Sequence, residues 1–283
     1  MGKANKVKNE LADAVVMVDL IQTLKDIADN KFYMLSKQKH KFRRFGESFV
    51  DFFRLVKLTG ADHPLIKNDN PAVGILVVTI EGSFLGAFNN KILRRAIEEK
   101  NTHENSQFIA IGQKGADRLM QYTPNLKKFI NMNKIGMYQM AIAVKDYLVD
   151  QVVSGALGKI YVVYSWPKSF EIQKPRVVKL LPCDDLVRKQ SQFADEFENV
   201  IGESAPGDVI GFLCNLWITT RLSEIFMDTM IASSAAQASF LEDSVDKMKK
   251  ERAKVKVKYR KAKKGDIDKS LRETFSARMM TAQ

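Results

Sequence analysis

Residues 11–56 read LADAVVMVDLIQTLKDIADNKFYMLSKQKHKFRRFGESFVDFFRLV, and their spacing decides the fold. Every seventh position from Ala14 is apolar: Ala14, Ile21, Ala28, Leu35, Phe42, Phe49 and Val56. The companion row is Leu11, Val18, Lys25, Phe32, Lys39, Gly46 and Phe53, with Leu24 and Phe45 beside its gaps. A sustained seven-residue repeat keeps one stripe facing a partner helix at 3.5 residues per turn, which makes a coiled-coil seam. Gly46 is the one glycine between residues 3 and 59, and proline is absent there. The spacing predicts a single helix over 3–59, about 85 Å long at 1.5 Å per residue. A rod of that length needs a partner along its seam.

The far end of the chain offers one. Glu203-Ser204-Ala205-Pro206-Gly207-Asp208 is a helix-start signal, with Ser204 as cap, Pro206 in the first turn and Asp208 near the positive end of the dipole. From residue 212 onward the one glycine is Gly265 and there is no proline. Apolar residues recur at helical spacing through Leu213, Trp217, Leu222, Ile225, Met230, Ala236, Phe240, Val245, Met248, Val255, Tyr259, Ala262, Leu271 and Phe275. Two such helices can bury each other's seams as an antiparallel coiled coil; a dimer of two copies satisfies the same pattern.

All seven prolines lie between Pro64 and Pro206, and the texture changes with them. The run Val73 to Ile80 reads as a strand buried on both faces. A helix from Asn89 to Lys100 follows, then a strand from Phe108 to Ile111 ending in Gly112. Helices around Ala116 to Tyr122 and from Gly136 to Val153, and strands at Lys159 to Tyr164 and Arg176 to Leu181, complete the alternation. Such alternation predicts a mostly parallel, Rossmann-like sheet. The expected fold class is therefore α/β with long helices: a coiled-coil helix over 1–59, an inserted α/β domain over 60–202 and a second coiled-coil helix over 203–283.

Charge separates these parts. The chain has 283 residues and a net charge of +12. The insert is nearly balanced and the excess sits on the rods. Between Lys247 and Lys264 there are eleven basic residues and one acid, Glu251. A helix this positive faces phosphates or an acidic protein surface. The absence of interleaved aromatics or a named binding motif near the run weighs against nucleic acid.

Several chemistries find no support. Cys183 and Cys214 have no second cysteine at metal or redox spacing, and His40, His63 and His103 form neither HExxH nor HxE, so no metal site is expected. Gly82-Ser83-Phe84-Leu85-Gly86 and Gly112-Gln113-Lys114-Gly115 follow strands but supply neither GxGxxG nor GxxxxGK[ST], so no cofactor, nucleotide or other small-molecule substrate is expected. No GxSxG elbow or other catalytic set is present. No uncharged apolar run reaches about eighteen residues, and the N-terminal Met1-Gly2-Lys3-Ala4-Asn5-Lys6 lacks a secretory signal's apolar core, so a cytoplasmic location is expected.

The parts together resemble the gamma subunit of the F-type ATP synthases, the central stalk of a rotary motor. Leu76-Val77-Val78-Thr79, with Gly82, Leu85, Gly86 and Phe88-Asn89-Asn90-Lys91-Ile92-Leu93, is similar to the family's strand, its Gly-Leu-Cys-Gly-Gly-Leu-Asn turn and the following helix. Phe108 to Gly115 looks like its Ile-Gly-x-Lys-Gly strand end. Tyr259-Arg260-Lys261-Ala262-Lys263-Lys264 stands in the place of Tyr-Asn-Arg-Ala-Arg-Gln, and Leu24 to Lys31 matches Met-Glu-Met-Val-Ala-Ala-Ser-Lys. The family's cysteine becomes Phe84 or Leu85, and its closing glutamine becomes Lys264, a donor-only cation.

The resemblance implies a non-catalytic rotor shaft that couples ion-driven rotation to ATP synthesis or hydrolysis. Its implied partners are a ring of alpha and beta catalytic subunits, an epsilon-type subunit and a membrane rotor ring, at the cytoplasmic face of the membrane as a peripheral protein. Lys31, Arg260, Lys261, Lys263 and Lys264 would face acidic loops of the beta subunits, and Phe275, Met279 and Met280 would sit in an apical sleeve. Three alternatives fit parts of the pattern: the rotor of a specialised non-synthase rotary ATPase, a basic coiled-coil nucleic-acid-binding protein, and an α/β enzyme with helical extensions.

Overall fold

A computed structural model describes residues 3–55, 63–82, 85–184 and 206–281, with the backbone alone at 3, 41–55, 133–134, 206 and 280–281. The elements are α1 (Lys3–Leu55), β1 (Val73–Val78), α2 (Gly86–Asn101), β2 (Ser106–Ile111), α3 (Gln113–Leu119), β3 (Lys127–Phe129), α4 (Met132–Ile135), α5 (Met137–Val153), β4 (Lys159–Pro167), β5 (Gln173–Leu181) and α6 (Pro206–Thr281). They form two compact units, one of Met1–Asn30 with Gln237–Gln283 and one of Lys31–Ala236. The expected cap Ser204 and the last residues of the expected first helix, 56–59, lie outside the described residues.

In the first unit the heptad reading is visible position by position. Ala4, Val7, Leu11, Ala14, Val18, Ile21, Lys25 and Ala28 of α1 are shielded, at alternating spacings of three and four. Ala238, Leu241, Val245, Met248, Arg252, Val255, Tyr259 and Ala262 of α6 answer them with the same spacing. The helices run antiparallel, because Lys25 approaches Glu242 while the Ala4 N–H donates to the Asp266 carboxylate. Three expected seam residues of α6, Phe240, Leu271 and Phe275, are exposed instead; Phe240 is 46 % exposed and Leu241 is buried in its stead. The three-four alternation that runs back from Val245 reaches Leu241 and Ala238, and it passes over position 240.

The second unit is built on a five-stranded sheet of order β3-β2-β1-β4-β5. β1 pairs in parallel with β2 and β4, and β2 with β3; β5 turns back antiparallel on β4. Every residue of β1 is buried, which is why the strand reads as an uninterrupted apolar run. The core continues into α6 through Ile210, Leu213, Cys214, Ile218, Leu222, Ile225 and Phe226. α6 contains an eighteen-residue window apolar enough to cross a membrane by composition, but 56 % of that window is buried within the protein, the pattern of a core helix.

Local chemistry sets the boundaries that differ from the sequence reading. Asn89, buried in the first turn of α2, accepts the Ile80 N–H and donates to the Ile80 carbonyl, clamping the end of β1 to a helix that starts at Gly86. Gly112 has φ +92°, so the chain turns there and α3 starts at Gln113, three residues before the expected start. β3 and α4, of three and four residues, are too short to leave a periodic signature.

Candidate functional site

Arg260, Lys261, Lys263 and Lys264 are brought together on α6, all exposed, within little more than one turn. Ten of the eleven basic residues between Lys247 and Lys264 are exposed; Arg252 alone is drawn into the seam. The one acid in the run, Glu251, accepts a hydrogen bond from Lys254 at 2.6 Å. That bond, with the charges of Lys254 and Lys258, holds the Glu251 carboxyl below its ordinary range. The surface is thus a dense positive face with a single internal neutralisation. Lys31, also exposed, belongs to the other unit.

Past Ala262 the character of α6 changes. Every position from Lys263 to Met279 is exposed, and the helix passes through Gly265 without a break. Ile267, Leu271, Phe275 and Met279 succeed one another at four-residue intervals, with Phe275 67 % and Met279 76 % exposed. Four-residue steps on a helix carry an apolar stripe slowly around the axis. Of the expected sleeve residues, Phe275 and Met279 lie on this stripe; Met280 continues the helix, and its side chain lies outside the described residues.

Sequence spacing does not by itself mark the polar residues of the seam as functional, although the heptad row exposes them. Lys25 and Lys39 interrupt the companion row two heptads apart. In the first unit Lys25 bonds Asp29 at 3.1 Å and stands 3.9 Å from Glu242. Its pKa is raised, chiefly by the Asp29 bond. In the second unit Lys39 pairs with buried Asp228, whose Oδ1 has the Lys39 ammonium as its one partner among the described residues. Burial pushes the Asp228 carboxyl up, and Lys39, Arg221 and Arg176 oppose that rise without cancelling it. Beside this pair a cavity of about 390 Å³ is lined by Phe32, Ser36, His40, Lys168, Ser169 and Ile231.

The ends of the sheet strands are filled by their own side chains. The Glu81 carboxylate accepts the N–H groups of Gln113 and Asn131. Thr79 donates to the Ile111 carbonyl at 2.6 Å and packs so closely that a Cβ at Gly115 would lie 2.3 Å from its hydroxyl. The two cysteines, isolated in sequence, meet in the core, where a hydrogen bond between the thiols and then burial push the Cys183 thiol well up. His103 stacks on Tyr161 at 5.0 Å, and His63 accepts the Leu65 N–H. Among the described residues no group of three metal-ligating side chains converges.

Comparison with known proteins matches residues 3–278 to the family model described as ATP synthase. The ATP synthase gamma chain of Desulforamulus reducens is 20 % identical over 277 residues, covering 96 % of this chain and 97 % of that one. That of Symbiobacterium thermophilum is 24 % identical over 220 residues, covering 76 % and 75 %. Among solved structures, the rotor of the Euglena gracilis mitochondrial ATP synthase superposes with a TM-score of 0.61 at 12 % identity, covering 93 % of this chain and 98 % of that one. The central stalk of the Tetrahymena thermophila enzyme gives 0.61 at 14 % identity, covering 80 % and 99 %. At such identities these superpositions speak for the fold.

Proposed function

The chain belongs to the gamma-chain family of the F-type ATP synthases, the central-stalk subunit of that complex, and from this premise we propose that it is the non-catalytic shaft turning inside a ring of alpha and beta subunits. The carrying observation is the end of α6: a helix shielded by a partner up to Ala262 and then exposed through Met279 with an apolar stripe. Four large apolar side chains on an isolated helix ask for a covering surface. A sleeve of the ring supplies one, and a stripe poor in charged anchors lets the shaft turn within it. Below the stripe, the basic face from Lys247 to Lys264 meets acidic loops of the beta subunits, where spread charge guides approach without fixing one angle. Lys31, exposed on α1, makes a basic contact of its own with the ring.

The α/β unit is then the foot, contacting an epsilon-type subunit and the membrane rotor ring. The chain is peripheral to the membrane on its cytoplasmic side, held there through the complex. An asymmetric shaft presents a different surface to each catalytic site in turn, so its angle selects which site is open and rotation is coupled to ATP chemistry. Purification of the tagged chain from its native cell tests this. Recovery with stoichiometric alpha and beta homologues and ATPase activity is expected. Recovery alone, or with nucleic acid in a salt-sensitive complex, would overturn it.

A further inference from the structure

We infer that the ion pair between half-buried Lys39 and buried Asp228 is a register lock, fixing the axial position of α1 against α6. The neighbouring contacts share that task in part. Leu35 packs with Met227 and Ile231, and a slip of one heptad would set it against Ser234 and Ala238 instead. Ala232 and Ala235 are small and fully buried. The buried hydroxyls of this stretch serve their own helix: Thr229 donates to the Ile225 carbonyl, and Ser233 and Ser234 both donate to the Met230 carbonyl. Among the described residues of this unit, Lys39 to Asp228 is the one ion pair that crosses from α1 to α6.

Burial of the Asp228 carboxylate makes the pair a poor stabiliser, because desolvation offsets the Coulomb gain, but leaving that carboxylate without the Lys39 ammonium is heavily penalised. A single polar contact in an apolar seam is the usual device for choosing register. Other groups act on the site electrostatically: the charges of Arg221 from α6 and Arg176 from β5 favour the ionised Asp228 carboxyl, and the charge of Asp228 reaches the Tyr164 phenol of β4. The first unit carries a weaker counterpart, since Lys25 and Glu242 lie two heptads from Lys39 and Asp228 along their helices, and Glu242 is largely exposed. The consequence for rotation rests on the shaft reading, in that helices free to slip would take up torque as sliding. The lock itself rests only on the seam.

The test uses the full-length chain with paired cysteines. Leu35→Cys with Ile231→Cys reports the observed register, and Leu35→Cys with Ala238→Cys reports a slip of one heptad; disulfides are read by mass spectrometry after mild oxidation. With Lys39 and Asp228 present, the 35–231 disulfide alone is expected. In a Lys39→Met/Asp228→Leu background the chain should keep its helix content, while the 35–238 product rises about tenfold, the ratio that a register preference of ~1.4 kcal/mol supports. A swapped Lys39→Asp/Asp228→Lys background should return the slipped product to its original level. A single register in the apolar background overturns the inference, as does an unfolded apolar variant, which would make the pair a stability element. None of these readouts requires the ring, so their failure is distinct from failure of the shaft reading.

Discussion

The backbone N–H of Ala4 donates to the Asp266 carboxylate at 3.2 Å, so the first turn of α1 meets α6 fifteen residues before α6 ends at Thr281. The carboxylate caps the positive end of the α1 dipole and marks where pairing within that unit stops. Beyond Asp266, α6 continues as a helix whose apolar stripe is exposed among the described residues, and that stripe is what the shaft reading explains.

Substituting that stripe should separate folding from assembly. Leu271→Asp with Phe275→Asp removes no buried contact, so the unfolding free energy of the isolated chain should change by no more than about 0.5 kcal/mol. Recovery of the ring with the tagged chain should fall sharply. A variant that melts early, or one that assembles normally, contradicts the role given to these residues.

The basic face should act on coupling more than on assembly. Each exposed ion pair contributes ~0.2–1 kcal/mol, so Lys263→Gln with Lys264→Gln should lower ATP-driven coupling by roughly two- to thirtyfold while the complex still purifies. Raising salt should narrow the difference between variant and wild type, because exposed charges are screened. Unchanged coupling in the double variant would remove these residues from the contact.

The Asp228 carboxyl gives stability a recognisable pH dependence. Its folded pKa lies above the unfolded value because burial outweighs the attraction of Lys39, Arg221 and Arg176. The folded chain therefore holds the proton more readily. The cost of the charged form is fully present above the folded pKa and is relieved as pH falls through it, with no further gain below the unfolded value of about 3.9. Urea unfolding of wild type and Asp228→Asn from neutral to mildly acidic pH should show wild type gaining on the variant. Parallel curves, or wild type losing ground, would contradict this.

The paired thiols should be silent in the folded chain. Cys183 and Cys214 are both buried and the Cys183 thiol is held protonated, so a disulfide reagent should label neither until denaturant is added. Rapid labelling of either in native conditions would show that the end of β5 opens away from α6.

The rods were legible because a seven-residue repeat is a one-dimensional signal: Leu11, Val18, Ile21 and Ala28 could be placed on the seam by counting. Gly112 and Asn89 were less so, since a left-handed turn and a two-sided amide clamp leave no periodicity. β5 reads as another strand after β4, but its direction depends on the hairpin that reverses at residues 168–172. The Lys39 to Asp228 pair was half visible. Two lysines in an apolar row demand acids, but only the antiparallel register selects Asp228 from among the acids of α6. The meeting of Cys183 with Cys214 is a tertiary fact to which 31 residues of separation give no clue.

The most direct test of the shaft reading is single-molecule rotation. With the ring fixed to a surface and a bead attached to the α/β unit of this chain, addition of ATP should drive sustained rotation in one direction, stopping when ATP is exhausted. A bead that stays still, or only fluctuates, while the same complexes hydrolyse ATP would contradict it.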